Sequence, residues 1–176
     1  MDREKTKGLL MCYTGSGKGK TTAAIGSLMR AYGRGLKVIM FQFMKEKGSE
    51  FGEHIAAKEL GVEIVPLGDG FTWRSEDIEK DTIMALECWD ICKDKILNSD
   101  YDLIVLDEMT YPITFGWLKA DEVLSVIQQR PKWMHIIITG RDANEELIEA
   151  ADLVTRMMEV KHHFRNDILQ QPGIEW

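Results

Sequence analysis

Cysteine is scarce in this chain: Cys12, Cys88 and Cys92, an odd number with no framework spacing. That excludes a disulfide-stapled scaffold and fits a reducing, cytoplasmic compartment. Cys88 and Cys92 stand four apart on a predicted helix, but two thiols with no histidine nearby do not close a zinc site, so they are expected as packed core thiols. Long apolar runs are also missing. Nothing approaches the length of a membrane span, and Met1-Asp2-Arg3-Glu4-Lys5 lacks the apolar core of a signal peptide. Cationic excess is absent too: 22 Lys and Arg against 29 Asp and Glu leave a net charge of −7, which argues against broad binding to nucleic acid. With no repeat, low-complexity tract or linker, the 176 residues fit one domain over 1–176, long enough to bury a substantial core.

What is present is organised around Thr14-Gly15-Ser16-Gly17-Lys18-Gly19-Lys20-Thr21-Thr22. An apolar run, Gly8 to Tyr13, reads as a buried strand before it, and Thr22 to Met29 as an amphipathic helix after it. Strand, glycine-rich loop, Lys-Thr and helix form the phosphate-binding P-loop. Glycines let successive N–H groups turn inward at a polyanion, the helix N-terminus adds partial positive charge, and Lys20 adds a full one. Thr21 offers a hydroxyl to a magnesium ion bridging the phosphates. The usual spacing would put a glycine at position 14, which is Thr14 here. Counted from Gly15 to Gly19 only three residues intervene, so the loop is one residue short and carries a second lysine, Lys18. A shorter loop encloses a different number of phosphate oxygens, so triphosphate is not expected to sit as it does in hydrolases.

Downstream, strands are predicted over 37–43, 62–67, 101–108, 135–141 and 153–160, and helices over 50–60, from the N-cap Ser75 to about Ile96, over 117–129 and over 144–151. Residues 1–7 read as a disordered or short lead-in, and 161–176 as a polar tail. The alternation predicts an α/β three-layer sandwich with a mostly parallel sheet, P-loop NTPase-like (RecA-like). Ligands of such sheets lie beyond the C-terminal ends of the strands. Those ends carry the P-loop, Lys45, Phe71-Thr72-Trp73, Asp107-Glu108 and Arg141. Asp107 is the expected acidic partner of the P-loop, turned toward magnesium. Glu108 is a further metal ligand or, in a hydrolase, a base for water; the alternative for both is a solvated carboxylate pair. Arg141 is a phosphate ligand or a surface salt bridge. Phe71 and Trp73 form an apolar surface at the site mouth or belong to the core. His162 and His163 point to different sides and are a weak ligand signal.

From Gly8 to Trp176 these pieces, in order, resemble the ATP:corrinoid adenosyltransferases with a shortened P-loop. The resemblance rests on residues 13–24, Gln42-Phe43, Gly70-Phe71-Thr72-Trp73, Leu106 to Tyr111, Gln129-Arg130-Pro131, Ile138-Thr139-Gly140-Arg141, Val160 to Phe164 and Gly173-Ile174-Glu175-Trp176. It implies transfer of the 5′-deoxyadenosyl group of ATP to the cobalt of a reduced corrinoid, cobalamin or a precursor, with release of triphosphate and with ATP reversed along the P-loop. It also implies Mg2+, a flavodoxin-like or other flavoprotein reductant, and a homodimer. Lys20, Lys18, Arg141 and magnesium near Thr21 with Asp107 or Glu108 would stabilise the leaving group. Phe71 and Trp73 would displace the lower axial ligand of cobalt. Ser16 stands where many members have Asn, and the lead before Gly8 is short where longer members carry a covering segment. The competing readings are a P-loop ATPase or kinase acting at the γ-phosphate, and a non-catalytic nucleotide-gated module.

Overall fold

Near-continuous apolar runs, at residues 38–41, 103–106 and 136–138, are buried on both faces of the strands they form. In the computed structural model, which describes residues 2–68, 70 and 78–175, the strands are β1 (Leu10–Thr14), β2 (Val38–Glu46), β3 (Glu63–Gly68), β4 (Leu103–Asp107), β5 (His135–Thr139) and β6 (Leu153–Arg156). They form one sheet in the order β3-β2-β4-β5-β1-β6, and every neighbouring pair is parallel, so the expectation of a mostly parallel sheet is met in full. Ile39, Phe41, Phe43, Ile104, Leu106, Ile136 and Ile138 face one core; Val38, Met40, Leu103, Val105 and Ile137 face the other.

Helices cover both faces. α1 (Lys20–Tyr32) and α2 (Gly52–Leu60) supply Ala24, Leu28 and Ala57 to the second core. α3 (Ile78–Asn98), α5 (Ala120–Gln128) and α6 (Glu145–Ala150) pack Trp89, Ile96, Ile127 and Leu147 against the first. Between β4 and α5 lies one turn of helix, α4 (Thr110–Thr114), that periodicity does not predict, since five residues are too few to show a period. Ile104, Leu106, Ile136, Ile137 and Ile138 are completely buried, each contributing roughly 1.5–3 kcal/mol by leaving water. Cys88 and Cys92 are buried and unpaired on the first core face, as expected of packed thiols; burial pushes Cys88 up to about 11 and Cys92 well above its usual range.

Several boundaries differ from the expectation. α1 begins at Lys20, inside the P-loop motif, because Gly19 takes a left-handed conformation (φ 106°) that turns the chain directly into the helix. β6 stops at Arg156 rather than Val160, since beyond it the backbone leaves the ladder to pack against the P-loop. The lead-in is not a free tail: Arg3 Nε donates to Asp102 Oδ1 (2.8 Å) and Lys7 pairs with Asp152 (2.8 Å). His162 and His163 do not point apart, because a short 3-10 helix (His163–Asn166) begins there and the rings stack at 4.7 Å between centroids. Among the described residues no helix is long and apolar enough to cross a membrane.

Candidate active site

The loop between β1 and α1 owes its shape to two glycines and to the segment after β6. Gly15 has φ 102°, and a Cβ there would sit 2.3 Å from the Met157 carbonyl oxygen; at Gly17 a Cβ would meet the Met158 carbonyl carbon at 2.7 Å. The Met157 N–H donates to Thr14 O (2.8 Å), and the Gly17 N–H donates to Met157 O (2.9 Å), so backbone from the far end of the chain braces the loop. Lys20 is buried and folds back over the loop, its Nζ donating to Gly15 O (2.9 Å) and Gly17 O (2.8 Å). Burial lowers the Lys20 pKa, with Glu108 opposing. Both carbonyls are weak partners that a phosphate oxygen can replace as a stronger, charged acceptor.

Strand order decides what faces this loop. β5 lies between β1 and β4, so Thr139 at its end stands between the P-loop strand and Asp107 at the end of β4. Thr139 Oγ1 donates to Asp107 Oδ1 (2.6 Å) and accepts from the Glu108 N–H (2.9 Å). Thr21 Oγ1 donates to the same Asp107 oxygen (2.9 Å). On the other side, the register of β2 against β4 sets Gln42 opposite Asp107, and Gln42 Nε2 donates to Oδ2 (3.2 Å). Asp107 is thus completely buried with three donors. Burial raises its pKa, and the bonds from Thr139, Thr21 and Gln42 oppose the rise.

Glu108 follows in a left-handed conformation (φ 60°), uncommon outside glycine and typically costing on the order of 1–3 kcal/mol. Its Oε2 is buried and has no hydrogen-bond partner among the described residues. Burial, reinforced by the Asp107 carboxylate, pushes its pKa up to about 7, with Lys20, Arg141 and Lys45 pulling it back. A buried, unpartnered acceptor in a strained turn is costly, and a cation would relieve it.

The predicted residues divide accordingly. Lys20, Thr21, Asp107 and Glu108 converge, and Arg141 stands exposed at the end of β5, close enough to act electrostatically on both Lys20 and Glu108. Thr14 is turned away: it is buried, and its Oγ1 accepts from the Ala143 N–H (3.1 Å). Ser16, Lys18, Gly19 and Thr22 are exposed. The Lys18 ammonium is held by Glu175, whose other carboxylate oxygen lies 3.2 Å from His163 Nε2. Phe71 and Trp73, with Thr72, Arg74 and Ser75, lie outside the described residues. Sequence reasoning did not place Gln42, Thr139 or His54 in the site. A glutamine within Val-Ile-Met-Phe-Gln-Phe-Met and a threonine ending Ile-Ile-Ile-Thr are the signals for the first two, since a polar side chain in a buried strand needs a partner.

Magnesium binds oxygen ligands and is commonly held by one or two protein groups with phosphates and water completing its shell. Among the described residues no group of three or more His, Cys, Asp or Glu converges. The donors present still fit that habit: Thr21, whose proton goes to Asp107 while its lone pairs stay free, and the unpartnered Glu108 Oε2.

The flagellar accessory protein FlaH from Methanocaldococcus jannaschii shares the fold, with a TM-score of 0.58 at 13% identity over 86% of this chain and 71% of that one. The corrinoid adenosyltransferase of Pseudomonas aeruginosa is 39% identical over 172 residues, covering 97% of this chain and 84% of its own. That of Escherichia coli K12 is 38% identical over 170 residues (97% and 86%), and the corrinoid adenosyltransferase CobA of Salmonella typhimurium 36% over 173 (98% and 88%). The profile of the family described as ATP:corrinoid adenosyltransferase BtuR/CobO/CobP matches residues 6–176. The chain belongs to the ATP:corrinoid adenosyltransferase family.

Proposed function

We propose that this chain, acting as one domain, transfers the 5′-deoxyadenosyl group of ATP to the cobalt(I) of a reduced corrinoid and releases inorganic triphosphate. The observation that carries the reading is that, in a member of this family, the short loop from Gly15 to Thr21 gathers Lys20, Thr21 and the Asp107-Glu108 carboxylates at the C-terminal edge of one parallel sheet. Cobalt(I) is itself a strong nucleophile, so its electron pair forms the cobalt–carbon bond while the C5′–oxygen bond breaks and triphosphate leaves with that bonding pair. No protein base is required. The protein's tasks are to align the carbon with cobalt and to stabilise the departing charge.

Lys20 would exchange the Gly15 and Gly17 carbonyls for phosphate oxygens, and Arg141 would add a second cation from the end of β5. Thr21 and Glu108 would hold magnesium, with Asp107 orienting the Thr21 hydroxyl from behind. Magnesium, when bound there, would supply positive charge against the phosphates. Phe71 and Trp73 would exclude the lower axial ligand of the corrinoid, a flavoprotein would deliver the electron, and the working unit would be a homodimer; these follow from family resemblance.

Glu108, desolvated and pushed up to about 7, also favours a second reading, in which it serves as the base for water in an ATPase. Products separate the two. Anaerobic incubation with Mg-ATP and chemically reduced cob(I)alamin should yield a light-sensitive adenosylated corrinoid and one triphosphate per corrinoid. ADP and orthophosphate formed without corrinoid dependence would overturn the transferase reading. Lys20→Ala should lower the rate at least a hundredfold, because charge stabilisation in such sites is typically worth several kcal/mol; an unchanged rate would remove the P-loop from the chemistry.

A further inference from the structure

We propose that His54 is a positioning residue for the magnesium–nucleotide site, acting through Gln42 on the Asp107–Thr21 pair; this rests on the nucleotide-binding reading above. Gln42 sits in the middle of the sheet with no exposure, so both ends of its amide must find partners inside the protein. One end, Nε2, donates to Asp107 Oδ2 (3.2 Å); the other, Oε1, lies 2.6 Å from His54 Nε2. An ionised carboxylate only accepts, so the amide must present its NH2 group to Asp107 and its oxygen to the histidine. His54 Nε2 therefore carries a proton and donates. The chain of bonds has one sense: His54 N–H to Gln42 oxygen, Gln42 N–H to Asp107, and Asp107 Oδ1 receiving Thr21 and Thr139. Turning the amide over would set its oxygen against the Asp107 carboxylate.

The ring is itself held. His54 stands in the first turn of α2, and its Nδ1, the unprotonated nitrogen of that tautomer, accepts from the Phe51 N–H (3.2 Å). The Phe51 ring meets it edge-on at 5.6 Å, and Lys45 Nζ caps Phe51 from 3.3 Å. A rigid donor thus reaches from the second core layer to the catalytic edge of the sheet. Without it, Gln42 Oε1 would be unpaired where water does not reach, the amide would be free to shift within its slot, and Asp107 would hold its donor less firmly. Thr21 takes its orientation from Asp107, so the loss arrives at the metal-facing hydroxyl. Outer partners of metal ligands commonly affect metal affinity by 10- to 100-fold; for a residue one bond further out, the expectation is the lower end.

The test is calorimetric titration of ATP, with and without Mg2+, into the unmodified chain and into His54→Leu, Gln42→Met, the double variant and His54→Gln. His54→Leu should weaken Mg2+-dependent ATP binding about tenfold and leave metal-free binding almost unchanged. The double variant should bind no worse than Gln42→Met alone, because the two residues act in series. His54→Gln, which keeps an N–H donor, should recover most of the loss. Equal weakening with and without Mg2+, additive losses in the double variant, or Mg2+-dependent binding within twofold of the parent in a folded His54→Leu would each overturn the positioning role while leaving the nucleotide site intact. If the unmodified chain shows no Mg2+-dependent ATP binding, the proposed function fails and the positioning role falls with it.

Discussion

Glu108→Gln should stabilise the ligand-free protein at alkaline pH while abolishing its chemistry. The substitution keeps the side chain's shape and removes its ability to ionise. In the folded protein burial and the neighbouring Asp107 push Glu108 from its ordinary 4.5 up to about 7. The sign follows directly. Below about pH 4.5 the group is protonated in both states and costs nothing; above about pH 7 it is ionised in both, and the folded state bears the full penalty. That penalty approaches about 3 kcal/mol, most of which develops between pH 5 and pH 8. A buried amide has its own cost, roughly 1–3 kcal/mol if its hydrogens stay unpaired, but that cost does not vary with pH. The decisive quantity is therefore the pH dependence of the difference between variant and parent. Urea unfolding at pH 5, 6, 7 and 8, with EDTA and without nucleotide, should show the variant gaining about 2–3 kcal/mol relative to the parent across that range, or ~5–10 °C in melting temperature. A difference that stays flat from pH 5 to pH 8 would refute the claim that Glu108 is held desolvated and unpartnered. Magnesium with ATP should remove the pH dependence of the parent's penalty and leave the pH dependence of the variant unchanged.

Gly15→Ala should destabilise by about 3 kcal/mol or more, since the residue would need both a left-handed backbone and a Cβ 2.3 Å from Met157 O; a melting temperature within a degree or two of the parent would show that the brace from the segment after β6 yields easily. For Phe71→Ala and Trp73→Ala, activity should fall when the reaction starts from cob(II)alamin with a flavoprotein reductant and recover largely when cob(I)alamin is supplied ready-made. Equal losses in both assays with a matching fall in melting temperature would return the two aromatics to a packing role.

The P-loop, the strand-helix alternation and the carboxylates after Leu103-Ile104-Val105-Leu106 were legible in the sequence because each is a contiguous pattern whose meaning depends on residues within a turn or two. The chemistry of Lys20 and Thr21 follows from their place at a helix N-terminus, and that place is local. Tertiary structure decided how the carboxylates divide their work. Asp107 and Glu108 are adjacent in sequence, yet one is saturated by Thr21, Thr139 and Gln42 while the other keeps an oxygen unpartnered. That difference arises because β5 is inserted between β1 and β4 and because β2 pairs with β4 in a register that sets Gln42 against Asp107. Strand order and register are settled by which buried faces pack together across the whole sheet, information that no local window holds. The same is true of Met157 bracing Gly17, of Glu175 holding Lys18, and of His54, whose ring reaches Gln42 across the turn between β2 and α2 while α2 packs on β3, the neighbour of β2. The local sequence determined that this chain builds a P-loop, and long-range packing determined which carboxylate oxygen beside it is left without a hydrogen-bond partner among the described residues.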